Sequence, residues 1–541
     1  MKHVAPEQRK VAQDLGLDLN YDFNGEAYFT VSGQNSNNSV RISDSFFDAV
    51  DAGSDWNLIR RTDGEIAKAI PATGLWEKVC FAAWKCADPG VQYDSTINAW
   101  HTCPEEGRIN ASNPCSEYMF LDDTACNLAS INLLKFFDAK TRTFDIDGYE
   151  HAIGLWTIVL EISVLMASFP SEEIARRSWK YRTLGLGYAN LGAMLMQSGI
   201  PYDSEDGRAI CGALTSILTG RSYTASALLA AEHGPFAGFE SNRETMLRVI
   251  RNHRRAAHGV ARDSGEYEDL RIPPVPIDHE AVRGTNLANA ELLLQHSTNA
   301  WDDALAFGEK FGYRNAQVSV IAPTGTIGLL MDCDTTGVEP DFALVKFKKL
   351  AGGGYFKIAN QSLRPSLTSL GYEEEVIDDI VAHVMGRLDL GVEMPLADGT
   401  SDGGTTSFRD FLVAKGYTGE DLVALENQLP TVFELRFAFN AWAMPANVLR
   451  AAGFDPEQAR ADIGFDGLAA LGMTAAQRSI LNRVICGTQT VEGSPNFKDA
   501  DLPVFDCANK CGPEGQRFIA PVGHIRMMRS EERRVESGLY V

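Results

Sequence analysis

The stretch that decides the fold is Ala316-Gln317-Val318-Ser319-Val320-Ile321, which runs directly into Ala322-Pro323-Thr324-Gly325-Thr326-Ile327. The first half is apolar and β-branched, which predicts a buried strand, and the Pro and Gly of the second half predict a turn. Helical patterns precede it at 288–311 and follow it at 410–484, and the chain is mostly helical from 146 to 233. Helices that alternate with isolated buried strands predict an α/β fold with a largely parallel sheet.

The turn after this strand has the composition of an anion site. A small, glycine-containing turn exposes backbone N–H groups, and two threonine hydroxyls flank Gly325. Such a turn suits a phosphate or pyrophosphate group. It is not a Walker A loop, because no Gly-Lys-Thr follows. A plain tight turn is the alternative interpretation.

A second informative stretch is Asn113-Pro114-Cys115-Ser116-Glu117, followed by Cys126. A thiol beside a carboxylate can transfer hydrogen atoms and protons, and a second thiol could supply electrons. In a straight strand Asn113 and Glu117 would lie about 13 Å apart at ~3.3 Å per residue. The segment must therefore curl for its side chains to converge on one small polar molecule. A cysteine that is merely buried is the alternative interpretation.

Composition limits the function classes. The chain has 541 residues and a formal net charge of −23, which argues against general nucleic-acid binding. The ten cysteines are scattered, which indicates a reducing, cytoplasmic compartment rather than a disulfide framework. The apolar run at 152–169 contains Glu161 and ends at Pro170. We interpret it as a buried core helix and predict no membrane partner.

Three further patterns have plainer interpretations. Residues 184–192 (LGLGYANLG) superficially resemble a dinucleotide fingerprint. Their spacing is wrong and no clear strand precedes them, so close helix packing by glycine is the better account. Cys507 and Cys511 form a C-x3-C pair with only His524 nearby, so we expect a structural role and no metal site. We find no internal repeat.

Taken together, these motifs resemble the large catalytic subunit of ribonucleotide reductase, and most closely its adenosylcobalamin-dependent (class II) branch. Residues 113–117 with 123–133 resemble the finger loop and following strand of that family, and 322–327 is similar to its substrate-phosphate loop. Residues 34–41 resemble its Gln-Asn-x-Asn-Asn-Ser-Val-Arg segment, and 486–509 its later barrel region. The matches follow the family's order from about residue 28 to 528.

The resemblance implies a ten-stranded α/β barrel with a central finger loop, at about 108–121 in this chain. It implies that Cys115 becomes a thiyl radical and abstracts the 3′ hydrogen of a ribonucleoside di- or triphosphate. Glu117 would take the 3′-hydroxyl proton, Asn113 would bind the ribose, and Cys126 would be one of two reducing thiols. The phosphates would be held at Ala322, Pro323, Thr324, Gly325, Thr326 and Ile327.

The same resemblance implies adenosylcobalamin as cofactor, an external dithiol such as thioredoxin, and a homodimer of the full-length enzyme. Residues 1–528 would then form a catalytic barrel domain that is incomplete at both ends. The family's second redox cysteine has no matching context upstream, and the match stops at Met528. We expect 529–541 to be an unrelated or disordered tail. An inactive nucleotide-binding fragment and a class I subunit fed by a separate radical-generating protein are the alternative functions.

Overall fold

The computed structural model describes residues 10–11, 13–17, 36–349, 355–395, 404–462 and 464–532. Helices and strands alternate along this part of the chain, which confirms the α/β class. The strands are β1 (Ser39–Ile42), β2 (Asp55–Ile59), β3 (Ile66–Pro71), β4 (Gly90–Tyr93), β5 (Asn127–Asn132), β6 (Phe137–Asp138), β7 (Thr143–Phe144), β8 (Leu184–Ala189), β9 (Val345–Lys349), β10 (Tyr355–Ala359), β11 (Glu393–Pro395) and β12 (Thr405–Ser407).

The helices are more numerous than the strands. In chain order they are α1 (Asp44–Asp51), α2 (Ala72–Cys86), α3 (Asp94–Ala99), α4 (Ile146–Met166), α5 (Glu172–Tyr181), α6 (Leu191–Gln197), α7 (Glu205–His233), α8 (Phe239–Ala257), α9 (His279–Gly284), α10 (Ala290–Phe311), α11 (Gly325–Leu330), α12 (Leu363–Ser369), α13 (Glu374–Met385), α14 (Phe408–Ala414), α15 (Gly419–Gln428), α16 (Leu435–Ala438), α17 (Ala446–Ala451), α18 (Pro456–Ala461), α19 (Gly467–Ala470), α20 (Ala475–Cys486) and α21 (Pro521–Glu532).

The central sheet is parallel and consists of β5, β8 and the 316–321 segment. β5 pairs with β8 from Asn127 opposite Leu184 to Asn132 opposite Ala189. The predicted strand at 316–321 runs along the other edge of β8, where it forms a parallel bridge between Leu186 and Ser319 and backbone hydrogen bonds of 2.9–3.1 Å. Ten strands closing a barrel are not seen in the described part of the chain, whose remaining sheets are two-stranded.

β8 was missed by the sequence patterns, which predicted helix across it. Its residues are all buried, so the strand lacks the alternation that marks a half-exposed one. Gly185 and Gly187 are therefore strand residues, and the expectation of helix packing is wrong for them. Gly192 does mark a close approach, since a Cβ there would lie 2.7 Å from the carbonyl oxygen of Glu339.

Helix α4 carries the apolar run that ends near Pro170. It is the one described helix that is long and apolar enough to cross a membrane, and 33% of its most apolar window is buried. One face packs into the core through Tyr149, Ile153, Leu160 and Val164. Residues such as Leu165 and Met166 are exposed on the other side, so the prediction of a buried core helix holds for one face only.

Glu161 lies on the buried face of α4 and is the polar centre of the core. Its Oε1 accepts hydrogen bonds from Arg182 Nε at 2.6 Å and Arg314 Nε at 2.8 Å, and its Oε2 accepts one from Asn315 Nδ2 at 2.7 Å. Arg182 comes just before β8, and Asn315 comes just before the 316–321 segment. One carboxylate therefore ties the starts of two neighbouring parallel strands to the helix that covers them.

Residues 388–486 form a helical unit with its own hydrophobic core. The chain enters this helical unit after Gly386 and leaves it at Gly487, and the two crossings lie side by side. A Cβ on Gly386 would lie 2.1 Å from the Ile485 carbonyl oxygen, and one on Gly487 would lie 2.3 Å from that of Val384. Both glycines have positive φ, so this narrow neck requires glycine at both points.

A short motif, Leu-x-x-x-Gly-apolar, recurs at four helix ends from α12 to α19. In each copy the glycine has a φ between 79° and 97°, and the apolar N–H donates to the leucine carbonyl oxygen at 3.0–3.2 Å. This is the Schellman helix end, and the next residue begins another helix. The copies are Leu367–Tyr372, Leu412–Tyr417, Leu449–Phe454 and Leu468–Met473.

The C-terminal prediction is only partly tested. α21 extends through Arg529 to Glu532, so the first four residues of the expected tail are helical. Residues 533–541, residues 396–403 and Gln34 with Asn35 lie outside the described residues.

We predict that Glu161→Gln destabilises the protein by about 3–5 kcal/mol, because it leaves the buried Arg182 charge without its carboxylate. The free energy of unfolding is measured by urea denaturation followed by far-UV circular dichroism. The matched control is Glu173→Gln, which removes a surface ion pair with Arg176 and Arg177 and should leave the unfolding midpoint almost unchanged. Equal midpoints for the two variants would contradict the role given to Glu161.

Candidate active site

The 113–117 segment curls, as the spacing required. The Ser116 N–H donates to the Asn113 carbonyl oxygen at 3.0 Å, and Ser116 has a φ of 70°. The side chain of Asn113 closes the loop from the inside, since its Oδ1 accepts the Tyr118 N–H at 3.0 Å. Asn113 Nδ2 has no protein partner within the described part of the chain and remains available as a donor.

The turn separates the two reactive groups of the loop. Cys115 is exposed at its tip, so the alternative of a merely buried cysteine is wrong. Glu117 is 5% exposed, and its Oε2 is buried without a hydrogen-bond partner among the described residues. A buried carboxylate oxygen with no partner is costly and calls for an explanation, such as a donor supplied by a ligand.

Residues from the amino-terminal part hold this loop, and the sequence patterns did not assign them a role. Asn37 Nδ2 donates to the Pro114 carbonyl oxygen at 2.9 Å. Gln92 Nε2 donates to the hydroxyls of Ser112 at 2.7 Å and Ser116 at 3.1 Å. Arg41 Nη1 in turn donates to Gln92 Oε1 at 2.9 Å. Asn37 and Arg41 belong to the 34–41 motif. That motif is the sequence feature from which their contact with the loop could have been predicted.

Cys126 lies directly before β5, and its sulfur lies against Gly185 of β8. A Cβ on Gly185 would lie 2.3 Å from Cys126 Sγ, so the missing side chain of Gly185 makes room for the thiol. Part of the Cys126 residue is exposed, but its sulfur lies deep in this contact. Burial raises the pKa of the thiol far above its ordinary value, and the nearby negative charge of Glu117 raises it further.

The structure therefore brings Glu117 and Cys126 together. Both belong to one short stretch of chain, with the acid on the loop and the thiol at the start of β5. Within the described ranges, no hydrogen bond or ion pair joins Cys115 to Cys126 or to the 322–327 turn. Convergence of all three groups on one molecule stays a prediction.

The turn at 322–327 follows the third parallel strand, at the same end of the sheet as Asn132 and Asn190. Thr324 has a φ of 52° and is 4% exposed, and its Oγ1 accepts the Gly337 N–H at 2.7 Å. Ala322 is also buried, whereas Pro323, Gly325, Thr326 and Ile327 are exposed. The hydroxyl of Thr324 thus holds the turn in place. The exposed residues that follow, Gly325 to Ile327, form the first turn of α11.

A network of asparagine side chains joins the carboxyl ends of the strands to the loop after α11. Asn190 Nδ2 donates to Asn132 Oδ1 at 3.1 Å, and Asn190 Oδ1 accepts the Thr335 N–H at 3.1 Å. Asn132 Nδ2 donates to the Met331 carbonyl oxygen at 3.3 Å. These bonds place the 322–337 region over the end of the sheet, where ligands of parallel α/β folds bind.

The family model described as "Ribonucleotide reductase, barrel domain" matches residues 22–394, which is more than half of the chain. The chain belongs to the ribonucleotide reductase family. The resemblance noted from the motifs is confirmed. The matched range includes the 113–117 loop, Cys126 and the 322–327 turn, and it ends just inside the helical unit at 388–486.

Curated relatives agree with this assignment. The chain is 54% identical over 511 residues to the "Vitamin B12-dependent ribonucleotide reductase" of Agrobacterium fabrum, covering 94% of this chain and 39% of that protein. Proteins of the same name from Bradyrhizobium diazoefficiens and Streptomyces avermitilis are 51% and 48% identical, covering 98% and 70% of this chain and 41% and 37% of the relatives. The chain thus spans about two fifths of the length of the relatives that it matches.

We predict that Gly185→Ala destabilises the protein by about 1–3 kcal/mol, because the added methyl group collides with Cys126 Sγ in a packed region. The measurement is the urea midpoint, together with the alkylation rate of Cys126. Gly154→Ala on α4 is the matched control, because nothing lies within 4 Å of a Cβ there. It should be neutral or stabilising by up to about 1 kcal/mol, and a similar loss in both variants would contradict the contact.

We also predict that iodoacetamide at pH 8 labels Cys115 and spares Cys126. The thiolate is the reactive form, and each unit by which a pKa is raised above the pH reduces the thiolate fraction roughly tenfold. Peptide mass spectrometry over a time course gives both rates. Labelling of Cys126 as fast as Cys115 in the folded protein would show that its sulfur is not buried beside Glu117.

Proposed function

We propose that this chain carries the reaction centre for the reduction of ribonucleotides to deoxyribonucleotides by thiyl-radical chemistry. The observation that carries the proposal is the buried Oε2 of Glu117, which has no hydrogen-bond partner among the described residues and lies near the Cys126 thiol, on the same loop as the exposed Cys115. An acid, an inner thiol and an outer thiol within one short stretch match the three needs of the reaction: proton removal, reduction and hydrogen abstraction.

In this proposal the substrate is a ribonucleoside di- or triphosphate. Its ribose lies against the loop, where Asn113 Nδ2 donates a hydrogen bond to a hydroxyl. The 3′-hydroxyl donates to Glu117 Oε2 and loses its proton to it, while Cys115, as a thiyl radical, takes the 3′ hydrogen atom, becomes a thiol and leaves the radical on the 3′ carbon. The turn from Ala322 to Ile327 holds the phosphates through the exposed N–H groups that begin α11.

Cys126 acts after hydrogen abstraction as one of two thiols that reduce the substrate and end as a disulfide. Its raised pKa keeps it protonated at neutral pH, so it can deliver hydrogen rather than ligate or attack as a thiolate. An external dithiol of the thioredoxin type would then return the disulfide to two thiols. Which cysteine pairs with Cys126 stays a prediction based on the family.

The names of the relatives support adenosylcobalamin as the cofactor. When bound, it would supply the radical by homolysis of its cobalt–carbon bond. The chain fits such a source in one respect: the Cys115 thiol is exposed, so it can be reached from outside the loop. The relatives favour neither the class I subunit nor an inactive nucleotide-binding fragment. The ten-stranded barrel, a cytoplasmic location and the homodimer stay predictions.

We predict that Cys115→Ala abolishes turnover of a ribonucleotide in the presence of adenosylcobalamin and a dithiol, because no other group can abstract the 3′ hydrogen. Glu117→Gln should reduce turnover by about 10²–10⁴-fold, the usual contribution of a general base. Deoxyribonucleotide is quantified by chromatography.

Cys80→Ala is the matched control for this prediction, because Cys80 is also an exposed thiol but lies on α2. It should keep whatever turnover the unsubstituted chain shows. Turnover that survives Cys115→Ala would refute the thiyl assignment. Equilibrium binding of the ribonucleotide, which should persist in all three variants, separates loss of chemistry from loss of folding.

A further inference from the structure

The side-chain amide of Gln92, on β4, joins the two ends of the turn that carries Cys115. Its Nε2 donates to Ser112 Oγ at 2.7 Å and to Ser116 Oγ at 3.1 Å. A primary amide has two N–H hydrogens, so both bonds can form at once. Gln92 is 4% exposed, and water cannot readily replace hydrogen bonds at a buried group. One buried side chain therefore holds the residues on either side of 113–115.

Arg41 fixes which way round the Gln92 amide lies. β1 and β4 pair in parallel with Arg41 opposite Gln92, and Arg41 Nη1 donates to Gln92 Oε1 at 2.9 Å. A guanidinium only donates hydrogen bonds, so the oxygen of the amide must face Arg41 and the nitrogen must face the serines. Arg41 is held in turn by Asp94, whose Oδ1 lies 2.8 Å from Arg41 Nε. The donors of Gln92 are thus directed at the loop.

The hydrogen bonds continue from Ser112 into the turn itself. Of the two oxygens that the Ser112 hydroxyl can reach as a donor, the Asn113 carbonyl oxygen at 2.8 Å is nearer than Ser116 Oγ at 3.1 Å. The same carbonyl oxygen accepts the Ser116 N–H at 3.0 Å. Because Ser112 accepts from Gln92, its single proton stays available for Asn113. Gln92 is therefore connected to the acceptor that closes the turn.

Asn37 contributes a separate contact, to the peptide that precedes Cys115. Its Nδ2 donates to the Pro114 carbonyl oxygen at 2.9 Å. This bond holds one point of the turn, whereas the Gln92 amide bonds to residues on both sides of it. The shape of the turn therefore depends on Gln92 more than on Asn37.

We propose that Gln92 is a positioning residue for Cys115, acting through Ser112 and Ser116 rather than on the substrate itself. The inference rests on the proposed function, in which Cys115 takes a hydrogen atom from a ribose that Asn113 binds. Such a step needs the reacting atoms about 3–3.5 Å apart, and a displacement of about 1 Å can slow it about 10²-fold. Gln92 holds the thiol and the ribose-binding amide in one fixed turn, which keeps their separation constant.

Hydrogen exchange tests the contact without reference to turnover. Gln92→Leu removes two hydrogen bonds to the turn, so the Ser116 amide should exchange about tenfold faster. Amides of α7 should not change. The matched control is Gln197→Leu, which removes a glutamine amide bond of 3.1 Å to the hydroxyl of Ser362 and should leave the Ser116 amide unaffected. Mass spectrometry with fragmentation to single amides gives the rates.

A second variant removes the same bonds from the loop side, so the result does not depend on how β4 tolerates leucine. Ser112→Ala combined with Ser116→Ala leaves the bond between Arg41 and Gln92 in place and should also speed exchange of the amide at position 116. Adding Gln92→Leu to this pair should add nothing, because the changes remove one shared set of bonds. An unchanged amide in the serine pair, or a further increase in the combined variant, would overturn the proposal.

Turnover separates this inference from the proposed function. Gln92→Leu should lower kcat about 10²-fold and change ribonucleotide binding little, because the proposed phosphate contacts lie at the 322–327 turn. A variant with faster Ser116 exchange and unchanged kcat would show that Gln92 is structural only, which overturns the proposal. If the unsubstituted chain shows no turnover, the proposed function fails for this chain, and the exchange rates still decide whether Gln92 holds the turn.

Discussion

The buried carboxylate of Glu161 is the interaction on which the rest of the structure depends. It accepts hydrogen bonds from Arg182, Arg314 and Asn315, which immediately precede two neighbouring parallel strands. Because side chains alternate along a strand, a slip of one residue would turn every inward group outward. By fixing where both strands begin, Glu161 sets the register between β8 and the 316–321 segment, in which Gly185 lies against Val320.

The sheet and the amino-terminal part hold the reactive residues in place. The Cys126 thiol occupies the space that a side chain at Gly185 would fill, and Glu117 is buried nearby. The loop that carries Cys115 is held separately, by Asn37 and Gln92 from the amino-terminal part. Cys115 is thus exposed on a hydrogen-bonded loop, whereas Cys126 is packed against β8. The different surroundings suit two thiols with different roles.

Most of the chain beyond the matched barrel region is a separate unit of short helices. The helical unit at 388–486 has its own core and joins the body through Gly386 and Gly487, so its addition disturbs the sheet little. Three Schellman ends of the form Leu-x-x-x-Gly-apolar connect successive short helices within the unit, each with a glycine at positive φ. The loop at 507–511 then returns the chain to the segment after the 322–337 region.

The sequence by itself determined the α/β class, helices such as α10, the curl at 113–117 and the family, because turn residues and reactive side chains are local signals. It missed β8, whose uniform burial removes the alternation that marks a strand, and it missed the recurring helix ends, which are too short and divergent to register as a repeat. Only the tertiary structure decided that Glu161 is a strand anchor and that Gly185 makes room for a thiol. Each of these depends on residues far apart in the chain, and their contacts exist only once the core has packed.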